Sequence, residues 1–405
     1  MLSLPERCWL EVDLDQLHHN FQTIVEMLHP DCQCLAIVKG NGYGVGMIPI
    51  AKALQDDGCR CFGVAAMSEA LALRENGING LILLLGPTYE QNIPFAAENE
   101  ISMTVNSVDV AKRYAQALNG CSKPLKVHIK LDTGMSRIGF RVDDNVEEIV
   151  QDILSIHALP GIEVEGIYTH FSSAYNDWDD AFTRKQFSRF MQVVERSQDC
   201  GVRYRYRHCA NSPAAKEYPA FQLDLARCGA TVYGLFHGYH QNVDVSPIVS
   251  MRTRIVQINT LPAGTSIGYD RTCQLDRPRK IAVVSVGNGD GFLRFHSNVG
   301  HMICRGVRVP VCGIVCMDMT MLDVTDVPGV QVGDVVTVFG TDHGETLTAE
   351  EAVANVPYMI PNELYNGVTM RVPKYYLRGG KIVYALICHA ELVPSDRMDP
   401  YENIE

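Results

Sequence analysis

Leu35-Ala36-Ile37-Val38-Lys39 runs four apolar residues into a lysine, and Gly40-Asn41-Gly42-Tyr43-Gly44-Val45-Gly46 follows at once. This is how a buried strand ends at a barrel mouth, with the chain breaking into glycine-rich loop. Burial favours the neutral amine of a lysine, and a neutral amine is the nucleophile that forms a Schiff base with an aldehyde. Taken alone, the stretch more often marks a lysine that ends a strand and reaches water. Its chemistry therefore depends on what converges on it. Two later segments could: His208-Cys209-Ala210-Asn211-Ser212, with a hydroxyl at Ser212, and Arg227-Cys228-Gly229-Ala230, where Gly229 and Ala230 offer backbone N–H groups unobstructed by bulk.

The elements that must position these residues show a rhythm. Strand-like apolar runs fall at Leu35–Lys39, Cys61–Ala65, Leu81–Leu85, Ile101–Val105, Lys126–Leu131, Val164–His170, Arg205–Cys209 and Leu225–Val232. Helical patterns lie between them at Ile48–Gln55, Ser68–Glu75, Val108–Leu118, Asn145–Ile156 and Ala181–Asp199. Eight strands alternating with helices predict an α/β fold, a (β/α)8 TIM-type barrel. The strand over residues 8–14 alternates, and Asp15 is placed to cap the helix after it. Past Gly234 the pattern turns to strands and tight turns, with helix only at Ala349–Val356, so a mostly β C-terminal domain is expected. The expected division is a barrel over 1–240, a β domain over 241–390 onto which strand 8–14 packs, and a polar, acidic tail over 391–405. The boundary is placed near Gly238–Pro247. In such a barrel phosphate binds at the loops after strands seven and eight. Those loops hold Ser212, Gly229 and Ala230. An amine on strand one and a phosphate cup on strands seven and eight suit pyridoxal phosphate, which needs an aldehyde partner and a phosphate anchor on opposite sides of its ring.

The 405 residues carry a net charge of −12, which argues against nucleic-acid or anionic-membrane binding. Fourteen cysteines are scattered without a CxxC pair, so neither a metal site nor a disulfide framework is expected. The N-terminus meets charge before any signal-like apolar run, and no apolar stretch could span a bilayer. A soluble, cytoplasmic protein is the expectation.

The motifs extend further. Ala36-Ile37-Val38-Lys39-Gly40-Asn41-Gly42-Tyr43-Gly44 is similar to the signature of the alanine racemase family of pyridoxal phosphate enzymes. The likeness continues in order through Lys130-Leu131-Asp132-Thr133-Gly134-Met135-Ser136-Arg137, Tyr168-Thr169-His170-Phe171, Ala210-Asn211-Ser212 and Arg227-Cys228-Gly229. It ends with Gly268-Tyr269-Asp270, Gly313 to Asp318 and Arg371-Val372-Pro373. The resemblance implies a head-to-tail homodimer with shared active sites that interconverts L- and D-alanine for cell-wall peptidoglycan. It implies that Lys39 carries the cofactor and serves as one base, and that Tyr269, from the partner subunit, is the opposing base. A tyrosine of ordinary pKa, roughly 10, is a poor base at neutral pH, and the resemblance assigns its help to His170 and Arg227. Arg227 would also face the ring nitrogen, where a guanidinium cannot accept a proton; the plainer reading pairs it with a carboxylate such as Asp224. Tyr43, Ser212, Gly229 and Ala230 would hold the phosphate. Arg137 would reach the cofactor's phenolic oxygen and the substrate carboxylate, with Met317 of the partner offering its N–H. Lys130 is either carbamylated or an unmodified lysine paired with an acid.

Two positions depart from the family pattern. Asn288 and Met370 stand where a tyrosine is usual, which removes a phosphate contact and softens the substrate entrance. Serine, or a wider set of small amino acids, is accordingly an alternative substrate. Pyridoxal phosphate decarboxylases are disfavoured by Tyr269 and Met317-Asp318, and a non-enzymatic carrier by the second domain.

Overall fold

The computed structural model describes residues 6–174, 179–235, 243–356 and 359–387. The N-terminal five residues, half of the expected boundary and the expected tail lie outside them.

Among the described residues, eight parallel strands form a nearly closed barrel: β2 (Gln33–Ile37), β3 (Cys61–Val64), β4 (Leu81–Leu84), β5 (Ile101–Val105), β6 (Leu125–Asp132), β7 (Ile162–Tyr168), β8 (Tyr206–His208) and β9 (Leu225–Cys228). β9 pairs with β2, Leu225 to Gln33 through Cys228 to Ala36. The seam between β8 and β9 is stitched by Asp224 N–H to Arg207 O, 3.1 Å, and Arg227 N–H to Ala210 O, 3.0 Å. Helices Met47–Asp56, Met67–Glu75, Val108–Ala117, Val146–His157 and Asp180–Asp199 cover the outside. Strands buried on both faces read as continuous apolar runs, which is why Leu35, Ala36 and Val38 are fully buried in succession. Each such large side chain contributes roughly 1.5–3 kcal/mol.

β1 (Cys8–Asp13) leaves the barrel and enters a second sheet, between Val249–Leu261, antiparallel, and Lys374–Arg378, parallel. Its Cys8, Trp9 and Leu10 are all buried rather than alternating, because neighbours cover both faces. The rest of the C-terminal part is mostly strand, including Arg279–Val284, Thr320–Asp323 and Val335–Asp342.

Four local expectations need correction. The helix after β1, α1 (Leu14–Met27), is capped by Asp13, whose carboxylate accepts from Asp15 N and Gln16 N at 2.9 Å. Asp15 instead accepts from Gly379 N. The expected strand Leu225–Val232 stops at Cys228, and Ala230–Tyr233 winds into a 3-10 turn. Helix Pro361–Asn366 adds a second helical stretch to the β domain. Lys39–Tyr43 is a compact left-handed turn rather than an open loop, with φ of 65°, 53°, 64° and 54° from Gly40 to Tyr43. Gly40 and Gly42 enter that region freely, and Asn41 is among the side chains that tolerate it best.

Candidate active site

The left-handed turn aims Lys39. Val38 accepts from Gly42 N at 2.8 Å, and Glu69, in the first turn of helix Met67–Glu75, clamps the turn, accepting from Asn41 N at 3.1 Å and Ala65 N at 3.0 Å. Lys39 lines a cavity of about 670 Å³ at the C-terminal ends of the barrel strands. Solvent reaches it through the mouth, yet the protein around it lowers its pKa, chiefly by desolvation, then by repulsion from Arg137 and Arg227.

The same cavity is lined by Tyr43, Lys130, Arg137, Tyr168, His170, Ser212, Arg227, Gly229 and Ala230. It thus brings together the barrel residues expected in a site, and its lining includes four lysine and arginine side chains, two of them guanidinium cations, and no carboxylate. A wall of that kind is built for an anion.

Arg227 is 5 % exposed at the end of β9. Its Nη2 donates to Thr169 O and Cys209 O, both at 2.8 Å, and to His170 Nδ1 at 3.0 Å; its Nη1 donates to His208 Nδ1 at 3.0 Å. The pairing with Asp224 does not occur. Asp224 faces the other way and takes Arg207, at 2.8 Å. Guanidinium N–H groups only donate, so His170 and His208 accept through Nδ1 and carry their protons on Nε2. Burial and the Arg227 charge hold both imidazoles well below the usual histidine pKa.

At the other side of the cavity Gly229 N–H donates to Ser212 Oγ, 3.3 Å, and Asn211 caps the short helix that starts at Ser212. The Tyr43 ring packs on Tyr233 with centroids 4.8 Å apart, and burial pushes its phenol up to about 12. Its hydroxyl lies against Gly229, where a Cβ would meet Oη at 2.5 Å. A side chain at this position would push the Tyr43 hydroxyl aside.

Asp132 shapes the Arg137 loop, with Oδ1 accepting from Gly134 N at 2.9 Å and Ser136 N at 3.0 Å, and Oδ2 from Arg137 N at 3.0 Å. Lys130 is 3 % exposed, donates to Leu131 O at 2.6 Å and sits over the Tyr168 ring. Desolvation, then Arg227, pushes its amine down to about 7.

Tyr269 and Met317 do not line this cavity; each is 64 % exposed on the β domain. Met370 is 69 % exposed and also outside the lining, whereas Asn288 begins a 3-10 turn, its N–H bound to Cys316 O at 2.9 Å. Sequence reasoning missed His208 and Tyr168 as close neighbours of Arg227. The one available signal was their place at the C-terminal ends of barrel strands, where the site opens.

The family profile "Alanine racemase, N-terminal domain" matches residues 12–237, and "Alanine racemase, C-terminal domain" matches residues 248–376. The chain is 38 % identical over 375 residues to "Alanine racemase 2" of Caldanaerobacter subterraneus subsp. tengcongensis, covering 92 % of this chain and 95 % of the relative. Its fold is similar to that of the alanine racemase from Bacillus anthracis with bound L-Ala-P, with TM-score 0.87 and 31 % identity over 95 % of this chain and 99 % of that one. It is also similar to the alanine racemase from Bartonella henselae with covalently bound pyridoxal phosphate, with TM-score 0.81 and 27 % identity over 92 % and 100 % of the two chains. Among the described residues, no helix is long and apolar enough to cross a membrane.

Proposed function

The chain belongs to the alanine racemase family and interconverts L- and D-alanine; we propose that it does so with pyridoxal phosphate at Lys39 and with two bases drawn from two subunits. The observation that carries this reading is the acid-free, cationic cavity in which Lys39, the Gly229 cup and the buried Arg227 face one space.

The residues present suit the cofactor. Lys39 is poised as an amine, and the Gly229 and Ala230 N–H groups with Ser212 and Tyr43 form a cup that a Cβ at Gly229 would obstruct. When bound, pyridoxal phosphate supplies an aldehyde to the lysine and a conjugated ring that takes up the electron pair left at Cα. Arg227 holds its own protons and would leave the ring nitrogen unprotonated, which limits delocalisation and suppresses transamination. Arg137 is the cation available to a substrate carboxylate.

Racemisation removes a proton from one face of Cα and delivers one to the other, and each positioned acid or base is worth typically 10²–10⁴-fold. Lys39 would serve one face. Within its own subunit, the two tyrosines that line the cavity are poor candidates for the other: burial pushes the Tyr43 phenol up to about 12, and Tyr168 is held deep in the barrel. Its hydroxyl donates to Leu85 O and pairs with Thr104, and burial pushes its pKa up to about 12. Tyr269 of the partner subunit would fill that role, assisted by the Nε2–H of His170. Met317 of the partner subunit would offer its backbone N–H to the substrate carboxylate. The exposure of Tyr269, Met317, Met319, Phe295 and Met370 supports such an interface. The amine of Lys130, close to neutral, is suited to carbamylation, and the resulting anion would orient Arg137.

The test is a substrate panel together with Lys39→Ala. L-alanine should be turned over in preference to L-serine, and Lys39→Ala should lose the cofactor's visible band. Preference for serine, or a persisting band, would overturn the corresponding part of the reading.

A further inference from the structure

Arg227 is a buried cation that pairs with no carboxylate among the described residues within 4 Å; its partners are two histidines and two carbonyls. The chain of side chains does not stop at His208. His208 Nε2 lies 3.0 Å from His128 Nδ1, and His128 Nε2 lies 3.3 Å from Glu165 Oε2. Ser102 Oγ donates to the same Glu165 oxygen at 2.6 Å. His128 and His208 are fully buried and Glu165 is 5 % exposed, so the line runs through the barrel interior to a second cavity at the opposite mouth, lined by Ser102, Lys126, Glu165 and Arg205.

The directions follow from one end. Arg227 only donates, so His208 accepts on Nδ1 and must donate from Nε2. His128 must then accept on Nδ1, which leaves its proton on Nε2 and requires an acceptor beyond. Glu165 is that acceptor. The scaffold keeps the line in place: Tyr168 stacks on His208 at 4.7 Å, Tyr206 on His128 at 5.9 Å, and Gly166 leaves the room in which His128 sits, since a Cβ there would meet its Nδ1 at 2.5 Å. Burial pushes the Glu165 carboxyl up, but the hydrogen bonds from His128 and Ser102 lead the effects that outweigh it, so it is held below the usual range.

We propose that His128 and Glu165 are positioning residues for the racemase site. Glu165 fixes the tautomer of His128, His128 that of His208, and His208 the orientation in which Arg227 donates to His170. The catalytic part rests on the racemase reading above; the tautomer part does not. Reversing the His128 tautomer would set N–H against N–H at His208 and turn Arg227 away. Groups hydrogen-bonded directly to a metal ligand are worth 10–100-fold, which sets the scale for a line that reaches Arg227 from Glu165 through three successive bonds.

The test uses holoenzyme labelled with ¹⁵N-histidine. In the wild type, His128, His170 and His208 should all resonate as neutral imidazoles protonated on Nε2; an Nδ1–H form or an imidazolium at any of them overturns the chain without any variant. Glu165→Leu removes the acceptor. It should shift the His128 and His208 resonances and lower kcat about 10–100-fold with KM within about threefold. Glu165→Gln keeps an acceptor oxygen and should return kcat to within about threefold of wild type. Unchanged ¹⁵N signals and kcat in Glu165→Leu, or equal impairment in Glu165→Gln, would refute the role. Should Glu165→Leu not fold, the wild-type spectrum and Glu165→Gln decide. If no racemase activity were found at all, the ¹⁵N spectra would still judge the tautomer chain separately.

Discussion

Replacing Gly229 by alanine probes the cofactor cup through a single contact. The added Cβ would lie 2.5 Å from Tyr43 Oη, 3.4 Å from Tyr43 Cζ and 3.6 Å from Ile37 Cβ. Restoring an ordinary carbon–oxygen separation requires Tyr43 Oη to retreat by roughly 1 Å. The half-buried phenol resists that retreat because its ring is packed on Tyr233 at 4.8 Å. Overpacking of this kind costs about 1–3 kcal/mol of stability, and a 1 Å misplacement of a positioning group costs on the order of 10²-fold in function. Rebinding of pyridoxal phosphate to the cofactor-stripped enzyme, followed by visible absorbance, should therefore show Kd raised about 10–100-fold while the protein still unfolds cooperatively. The control is Tyr43→Phe, which loses Oη and leaves Cζ at 3.4 Å as the nearest atom. In that background Gly229→Ala should cost less than about threefold, a strong coupling between the two sites. Equal costs in both backgrounds would refute the steric argument.

Other perturbations address the remaining groups. With its amine at about 7, Lys130 is neutral in about nine of ten molecules at pH 8, against about one in 250 for an ordinary lysine. A ¹³C-bicarbonate NMR spectrum should then show a carbamate signal that Lys130→Met abolishes; a wild-type spectrum without it contradicts carbamylation. The unmodified Lys130 binds fewer protons folded than unfolded between about pH 7 and 10.4, so in CO₂-free buffer it makes stability rise with pH across that window. The cost is full below pH 7, on the order of 4–5 kcal/mol, and Lys130→Met should flatten the slope measured by denaturant titration. His170 and His208 accept from Arg227 and stay neutral, so kcat/KM against pH should show no imidazole inflection between about pH 6 and 8. A histidine-like limb that His170→Asn removes would contradict that assignment.

The barrel was legible in the sequence because most of its strands are short apolar runs, and Ile101–Val105, like Val249–Leu261 in the second sheet, ends where the pattern ends. What escaped was conformation set by neighbours. The Gly40–Gly44 alternation announces freedom of φ, but only the clamp from Glu69 and the packing of Tyr43 select a left-handed turn. Leu225–Val232 looks continuous because its apolar residues continue past Gly229, whereas the Gly229–Ser212 contact redirects the chain there. Asn20 resembles a polar break in a helical stripe, yet it is fully buried and donates to Val232 O and Ser246 O at 3.2 and 2.8 Å. Lys39, Arg227 and the cup could be singled out from motifs, since their chemistry depends on residue type. His128 and Glu165 could not, because a polar residue inside a strand acquires meaning only from the partner across the barrel.

The central claim is that each site takes Lys39 from one subunit and Tyr269 from the other. Co-expression of Lys39→Ala with Tyr269→Phe tests it, because half of the dimers formed at random would be mixed and each of those would hold one intact site. Two variants that are nearly inactive alone should together recover about a quarter of wild-type racemase activity. Activity no greater than the sum of the separate variants, with mixed dimers demonstrably present, would contradict the shared site.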